Sequence, residues 1–93
     1  MIAFVEGELC FSGDGYVILN AGGIGYRIFT SATAIGTLPS AGNMVRMHTQ
    51  LAVREGGISL YGFPTREELS LFSMLIQVNG IGPKAALSIL STF

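Results

Sequence analysis

Residues 78–87 of this chain read VNGIGPKAAL, and this stretch decides how the C-terminal third folds. Gly80 and Gly82 flank one apolar residue, and Pro83 follows directly. Glycine tolerates positive φ, and proline is favoured at the first position of a helix. The stretch therefore predicts a tight turn that ends at Gly82 and a helix that runs from Pro83 towards Leu90.

The start of this predicted helix is a candidate anion site. Unpaired N–H groups and the helix dipole favour a negative charge there, and Lys84 adds a positive charge in the first turn. Ala86 lies four residues after Gly82 and is small enough to let two helices approach closely, as in the helix-hairpin-helix pattern. A phosphate is the ligand that this pattern favours, and an ordinary helix-to-helix turn is the alternative.

A first helix is predicted before the turn. Thr65 and Glu68 follow Pro64 at capping-box spacing, which satisfies two otherwise unpaired N–H groups at a helix start. An apolar stripe follows at Leu69, Phe72, Leu75 and Ile76. Residues 64–93 are therefore expected to form a helix, a hairpin turn and a second helix.

Residues 1–63 have the alternation and turn signals of β-strands. The predicted strands are residues 3–11, 16–19, 26–30, 44–54 and 58–63, and a weaker segment at 31–38 is a candidate short helix. Five strands with a short element before the fourth predict a small closed or partly open barrel, of which the OB-fold is one type. The fold class is therefore β + α.

Three details of the strands are predicted from the pattern. Gly7 is a candidate bulge or bend of the kind that barrel closure needs, and Cys10 is expected to be a small packing residue. In the fourth strand one face is expected to carry Val45, Met47, Thr49, Leu51 and Val53.

The composition limits the class of function. Hydrophobic residues make up 49% of the 93 residues and charged residues 12%, about half the ~25% typical of soluble domains. We therefore expect apolar surface that an oligomer or a further segment covers. The net charge is −1, so any phosphate binding must be local.

No cofactor, metal or membrane segment is indicated. The single cysteine and the absence of a CxxC or His/Cys cluster give no zinc pattern. No signal peptide or membrane-length apolar run is recognisable, so the expected location is the cytoplasm.

The motifs converge on a known family. In identity, order and spacing they resemble the RuvA family of Holliday-junction binding proteins. The matching residues are Met1-Ile2, 22–26, 53–55, 60–63, Glu68, Leu71-Phe72 and 79–87.

This resemblance implies a five-stranded OB-fold barrel over 1–63 and the first helix-hairpin-helix of an incomplete DNA-binding domain over 64–93. It implies a non-catalytic protein that holds four-way junction DNA open as a homotetramer or octamer. The RuvB motor, which would carry the ATPase activity, binds through a domain outside this chain. The RuvC resolvase is a further partner that the resemblance suggests.

The resemblance also implies two sets of site residues. The first phosphate-binding hairpin would consist of Asn79, Gly80, Ile81, Gly82 and Lys84. Arg54 and Glu55 would lie at an acidic pin at the junction centre. The family often has two adjacent acidic residues in the pin, whereas Gly56 follows Glu55 here.

Two other classes of function remain open from the residues alone. One is an OB-fold module for single-stranded DNA, with bases stacked on Tyr16, Tyr26, Tyr61 or Phe63. The other is the accessory DNA grip of a repair enzyme. The acidic residues show no metal-binding arrangement and Lys84 is the only lysine, so catalysis would require residues outside this chain.

Overall fold

A computed structural model describes residues 1–93, whose five strands close into a barrel. The spatial order is β1-β2-β3-β5-β4, and β4 pairs back onto β1. The strands are β1 (Phe4–Ser12), β2 (Tyr16–Ala21), β3 (Ile24–Phe29), β4 (Met44–Arg54) and β5 (Gly57–Phe63). The predicted class, an OB-fold barrel followed by a partial helical domain, is confirmed.

Three helices complete the chain: α1 (Ala32–Thr37), α2 (Arg66–Leu75) and α3 (Pro83–Leu90). The Thr65 hydroxyl caps α2 by accepting a hydrogen bond from the Glu68 N–H at 3.2 Å. The Glu68 carboxylate accepts from the Thr65 hydroxyl at 2.8 Å, and no bond from the Thr65 N–H accompanies it. Only half of the predicted capping box therefore forms. None of the helices is long and apolar enough to cross a membrane.

Apolar side chains from all five strands fill the barrel. Each fully buried Val, Leu, Ile or Met contributes about 1.5–3 kcal/mol of hydrophobic stabilisation. The buried cluster consists of Val5, Leu9, Val17, Leu19, Ile28, Val45, Met47 and Leu60.

The bulge in β1 lies at Cys10. The pairing with β2 shifts register between Leu9 and Phe11, so one extra residue is inserted there. As a result Phe11 turns outward and is half exposed. Cys10 is exposed as well. The prediction that Cys10 is a packing residue is wrong, because Cys10 follows the alternation of β1, in which Val5, Gly7 and Leu9 are buried and the residues between them face solvent.

Gly7 does not lie at a bulge, as was predicted for it, but at a close approach between two strands. It lies within a regular stretch of β1, paired with Val45 of β4. A Cβ placed there would lie 2.4 Å from the carbonyl oxygen of Asn20. Glycine is required at this position because the β2 backbone crosses closely over β1.

The alternation of β4 holds at only one end of the strand. Val45, Met47 and Thr49 are buried as expected, but Val53 is 73% exposed. Beyond Ala52 the β4–β5 hairpin extends past the barrel wall. The parallel seam between β3 and β5 has only two residue pairs, Ile28 with Leu60 and Phe29 with Tyr61. The first residues of β5 therefore pair with β4 alone.

A second core joins the helices to the outside of the barrel. The Phe72 ring of α2 lies 5.2 Å from the Tyr61 ring and 5.3 Å from the Phe63 ring, between centroids. Ala34 of α1 and Ala86 of α3 are fully buried in the same cluster. Because this core includes both parts of the chain, the division into domains at residues 63 and 64 stays a prediction.

The close approach at Gly7 generates a stability prediction. Gly7→Ala would force its new methyl group against the Asn20 carbonyl, and we expect it to destabilise the chain by about 2–3 kcal/mol. Gly25→Ala in β3 is the matched control, since its Cβ would meet only Ile18 Cγ2 at 3.5 Å. Urea denaturation of both variants measures the difference. Equal unfolding midpoints would contradict the predicted crowding.

Candidate nucleic-acid interface

The loop between α2 and α3 begins with a hydrogen-bonded turn. The Ile81 N–H donates to the Val78 carbonyl at 3.1 Å. Gly80 has φ +86°, the positive value that the third residue of a type II turn requires. The predicted tight turn is therefore present at this point, and we refer to residues 79–84 as the hairpin loop.

α3 begins directly after Gly82. The Gly82 carbonyl accepts the first intrahelical bond from the Ala86 N–H at 3.0 Å, and Pro83 occupies the first helical position. The N–H groups of Gly82, Lys84 and Ala85 have no acceptor within the chain. Three unpaired donors at the positive end of a helix give the hairpin loop an attraction for anions.

Burial separates the hairpin loop into an anchored side and an open side. Ala86 is fully buried, and Ile81 packs partly against the second core. Asn79, Gly80 and Lys84 are exposed. The loop therefore has a fixed base while its polar groups and the Lys84 ammonium face solvent.

Hydrogen bonds to the barrel hold both helices in place. The Ser73 hydroxyl of α2 donates to the Gln50 side-chain oxygen of β4 at 2.6 Å. At the end of α3, the Ser91 hydroxyl accepts from the Ala32 N–H at 2.9 Å. The Thr33 hydroxyl of α1 donates to the Leu90 carbonyl at 3.2 Å. The two helices that flank the hairpin loop are thus held by β4 on one side and by α1 on the other.

The other predicted site lies at the turn between β4 and β5. Glu55 and Gly56 form a two-residue turn, and both are exposed. At the base of this turn Val53 pairs with Ile58, and both side chains are about two-thirds exposed or more. We call residues 54–57 the barrel tip.

The fold brings the barrel tip and the hairpin loop together. A Cβ placed on Gly82 would lie 3.7 Å from Nη2 of Arg54. Arg54 therefore adjoins the start of α3, although the family resemblance groups it with Glu55 at the pin. This proximity was not predicted from the sequence. No local sequence pattern could predict it, because residues 54 and 82 are far apart in the chain.

Arg54 and Lys84 make no ion pair. The single salt bridge of the chain joins Arg46 Nε to Glu6 Oε1 at 2.9 Å, on the barrel wall. No three His, Cys, Asp or Glu side chains come together in a group that could hold a metal. The hairpin loop and the adjacent Arg54 are consequently a region of local positive charge on a chain with net charge −1.

The aromatic rings proposed for base stacking are mostly covered. Phe63 is fully buried and Tyr61 is 9% exposed, because Phe72 packs on both. Tyr26 packs partly against the barrel core, and the Arg27 guanidinium lies 5.2 Å above the half-buried ring of Tyr16. None of the four rings forms an open platform for a base.

Comparison with known proteins identifies the family. The family model described as the RuvA N terminal domain matches residues 1–62. A Holliday junction branch migration complex subunit RuvA from Acetivibrio thermocellus is 48% identical over 91 residues, which are 98% of this chain and 45% of that protein. The protein of the same name from Lachnospira eligens is 48% identical over 98% of this chain and 44% of its own length.

A third relative of that name, from Symbiobacterium thermophilum, is 45% identical over 99% of this chain and 45% of its own length. The chain thus spans a little under half the length of the curated relatives that it matches. The resemblance carried by the hairpin loop, the barrel tip and the strands is confirmed, and the chain belongs to the RuvA family.

Proposed function

We propose that this chain is a DNA-binding part of a protein that holds four-way junctions open for branch migration. The hairpin loop binds the sugar-phosphate backbone, and the barrel tip lies at the crossover. The proposal rests on membership of the RuvA family and on one feature of the structure, the glycine at position 82.

Neither a positive φ nor a close contact requires glycine at position 82, although glycine is among the residues favoured at the N-cap of a helix, the position that Gly82 occupies in α3. Its φ of −90° and ψ of 176° are extended values that any residue adopts. A Cβ there would meet only Nη2 of Arg54, at an ordinary van der Waals distance. Because Gly82 has no side chain, there is room for a ligand at the unpaired N–H groups of Lys84 and Ala85. A phosphate oxygen is an acceptor suited to those donors.

Backbone contacts of this kind are independent of base sequence. One such loop binds DNA weakly, because the chain has few positive charges. Repetition in a homotetramer or octamer raises the effective concentration and supplies the affinity. The exposed Val53 and Ile58 side chains are apolar surface of the kind that subunit contacts cover.

Glu55 provides the acidic pin in this proposal. Its carboxylate is exposed at the end of a hairpin that extends beyond the barrel wall. Four such carboxylates around a crossover repel the DNA phosphates and disfavour stacking of the arms against each other. The adjacent Gly56 adds no charge, so each subunit contributes a single acidic group.

The remaining parts of the proposal come from the family. The protein acts in the cytoplasm as a non-catalytic subunit, and a RuvB motor hydrolyses ATP and drives migration. A RuvC resolvase is the proposed further partner. The alternative of base stacking on an open barrel face has no support, because Tyr61 and Phe63 are buried.

The two loop glycines give a prediction that separates folding from binding. Gly80→Ala should destabilise the chain by about 1–2 kcal/mol, because alanine is disfavoured at positive φ. Gly82→Ala should cost no more than about 1 kcal/mol, because alanine is a poor N-cap residue, and should still weaken duplex binding about tenfold by blocking the approach of a phosphate. Thermal unfolding and fluorescence anisotropy measure the two effects. Normal DNA affinity in Gly82→Ala would refute the proposed phosphate site.

Lys84 should bind phosphate independently of base sequence. We expect Lys84→Gln to weaken binding by the same factor on duplexes of unrelated sequence. The slope of log affinity against log salt should shrink by about 0.9 for each phosphate that the variant leaves without a cation. Lys84→Arg keeps the charge and should retain the slope. A reduction in affinity that depends on base sequence would contradict binding to the DNA backbone.

Removing the Glu55 charge should change junction binding selectively. Glu55→Gln should tighten binding to a four-way junction by roughly fivefold, on the order of 1 kcal/mol, and leave duplex binding unchanged. Glu8→Gln is the control, because Glu8 pairs with Met44 at the far end of β4. Energy transfer between labelled arms should also show a less open junction with Glu55→Gln. Equal tightening on duplex DNA would argue against a pin.

A further inference from the structure

The barrel tip contains an arginine whose position the pin does not explain. Arg54 is the last residue of β4 and directly precedes the turn residue Glu55. Its guanidinium lies beside Gly82, where Nη2 is 3.7 Å from the position of a Cβ on that glycine. The side chain thus reaches across to the helical part of the chain.

Arg54 has no partner within the chain. Its side chain makes no ion pair with Glu55, since the one salt bridge joins Arg46 to Glu6. The guanidinium donates no hydrogen bond to any other group of the chain, so all five N–H donors are available. A planar guanidinium with free donors binds phosphate oxygens in a bidentate manner.

The structure assigns Arg54 to the DNA-backbone site of the hairpin loop, as a second cation beside Lys84. This inference rests on the proposed function and adds to it a binding residue contributed by the barrel. A phosphate at the start of α3 would meet the N–H groups of Lys84 and Ala85 from the helix and the Arg54 guanidinium from the barrel. The site therefore requires both parts of the chain in their observed arrangement.

This assignment also separates two charges that are adjacent in sequence. A guanidinium held by a phosphate at the hairpin loop is drawn away from the Glu55 carboxylate. Each tip then presents the full negative charge of Glu55 to the crossover. A pin with one acidic residue therefore still repels DNA, because the neighbouring arginine binds a phosphate at the hairpin loop and does not neutralise the Glu55 carboxylate.

The test compares arginine variants of the full-length protein that contains this chain. Binding of Arg54→Gln to a plain duplex and to a four-way junction is measured by fluorescence anisotropy from low to moderate salt. We expect both affinities to fall by the same factor, about tenfold, and the log–log salt slope to decrease by about 0.9 per phosphate. Arg54→Lys should retain the slope and part of the affinity, because an ammonium cannot bind in a bidentate manner.

Arg46→Gln is the matched control on the same strand. It removes the same charge eight residues away, about 26 Å along β4. We expect it to leave both DNA affinities unchanged. Because Arg54 is exposed, thermal unfolding should show that folding of each Arg54 variant is unaffected. An equal reduction in affinity for Arg46→Gln and Arg54→Gln would overturn the assignment, since it would reflect net charge alone.

Two further outcomes distinguish the inference from the proposed function. If Arg54→Gln weakens junction binding and leaves duplex binding unchanged, Arg54 acts at the crossover and the assignment is wrong. If Lys84→Gln lowers affinity and Arg54→Gln has no effect, the hairpin loop still binds phosphate and only the role of Arg54 fails. If neither variant changes binding, the proposed function itself fails.

Discussion

The packing of Phe72 against Tyr61 and Phe63 is the interaction on which the rest of the arrangement depends. Tyr61 and Phe63 point outward from alternate positions of β5, and the Phe72 ring of α2 stacks on Tyr61 and packs at a tilt against Phe63. This packing sets where α2 lies on the barrel and therefore where the hairpin loop and α3 follow. It also brings residue 82 beside residue 54. The same packing covers Tyr61 and Phe63, two of the four aromatic rings considered for stacking single-stranded DNA.

Much of the fold could be predicted from local sequence. The alternation from Met44 to Arg54 predicts the bounds of β4, and the Gly-Pro step at residues 82 and 83 predicts the start of α3. Predictions failed where a tertiary interaction overrides the local pattern. Phe11 is half exposed because the β1 bulge shifts the register there, and Val53 is exposed because the hairpin leaves the barrel wall. Gly7 stands out within its strand, but the reason for it, the approach of Asn20, depends on strand pairing across the barrel.

The candidate site, like the fold, could be predicted from the sequence only in part. The hairpin loop is a continuous segment with its own turn and helix signals, so each of its residues could be named from the sequence. Arg54 could be named only as part of the pin, and its proximity to the loop could not be predicted, because that depends on how two separate elements pack. The proposed binding surface, on a chain with net charge −1, therefore relies on the placement of charges more than on their number. Two cations, Arg54 and Lys84, lie near unpaired N–H groups at the start of α3, whereas the rest of the chain carries six acidic and three basic side chains.

The short seam between β3 and β5 has a mechanical consequence. With only two pairs in that seam, residues 57–59 are supported by β4 on one side and by no strand on the other. A two-stranded arm of this kind bends more easily than a barrel wall, since a single row of hydrogen bonds resists its twisting. The end that carries Glu55 can therefore tilt relative to the barrel, which keeps its shape. The chain combines a stiff body with a compliant tip.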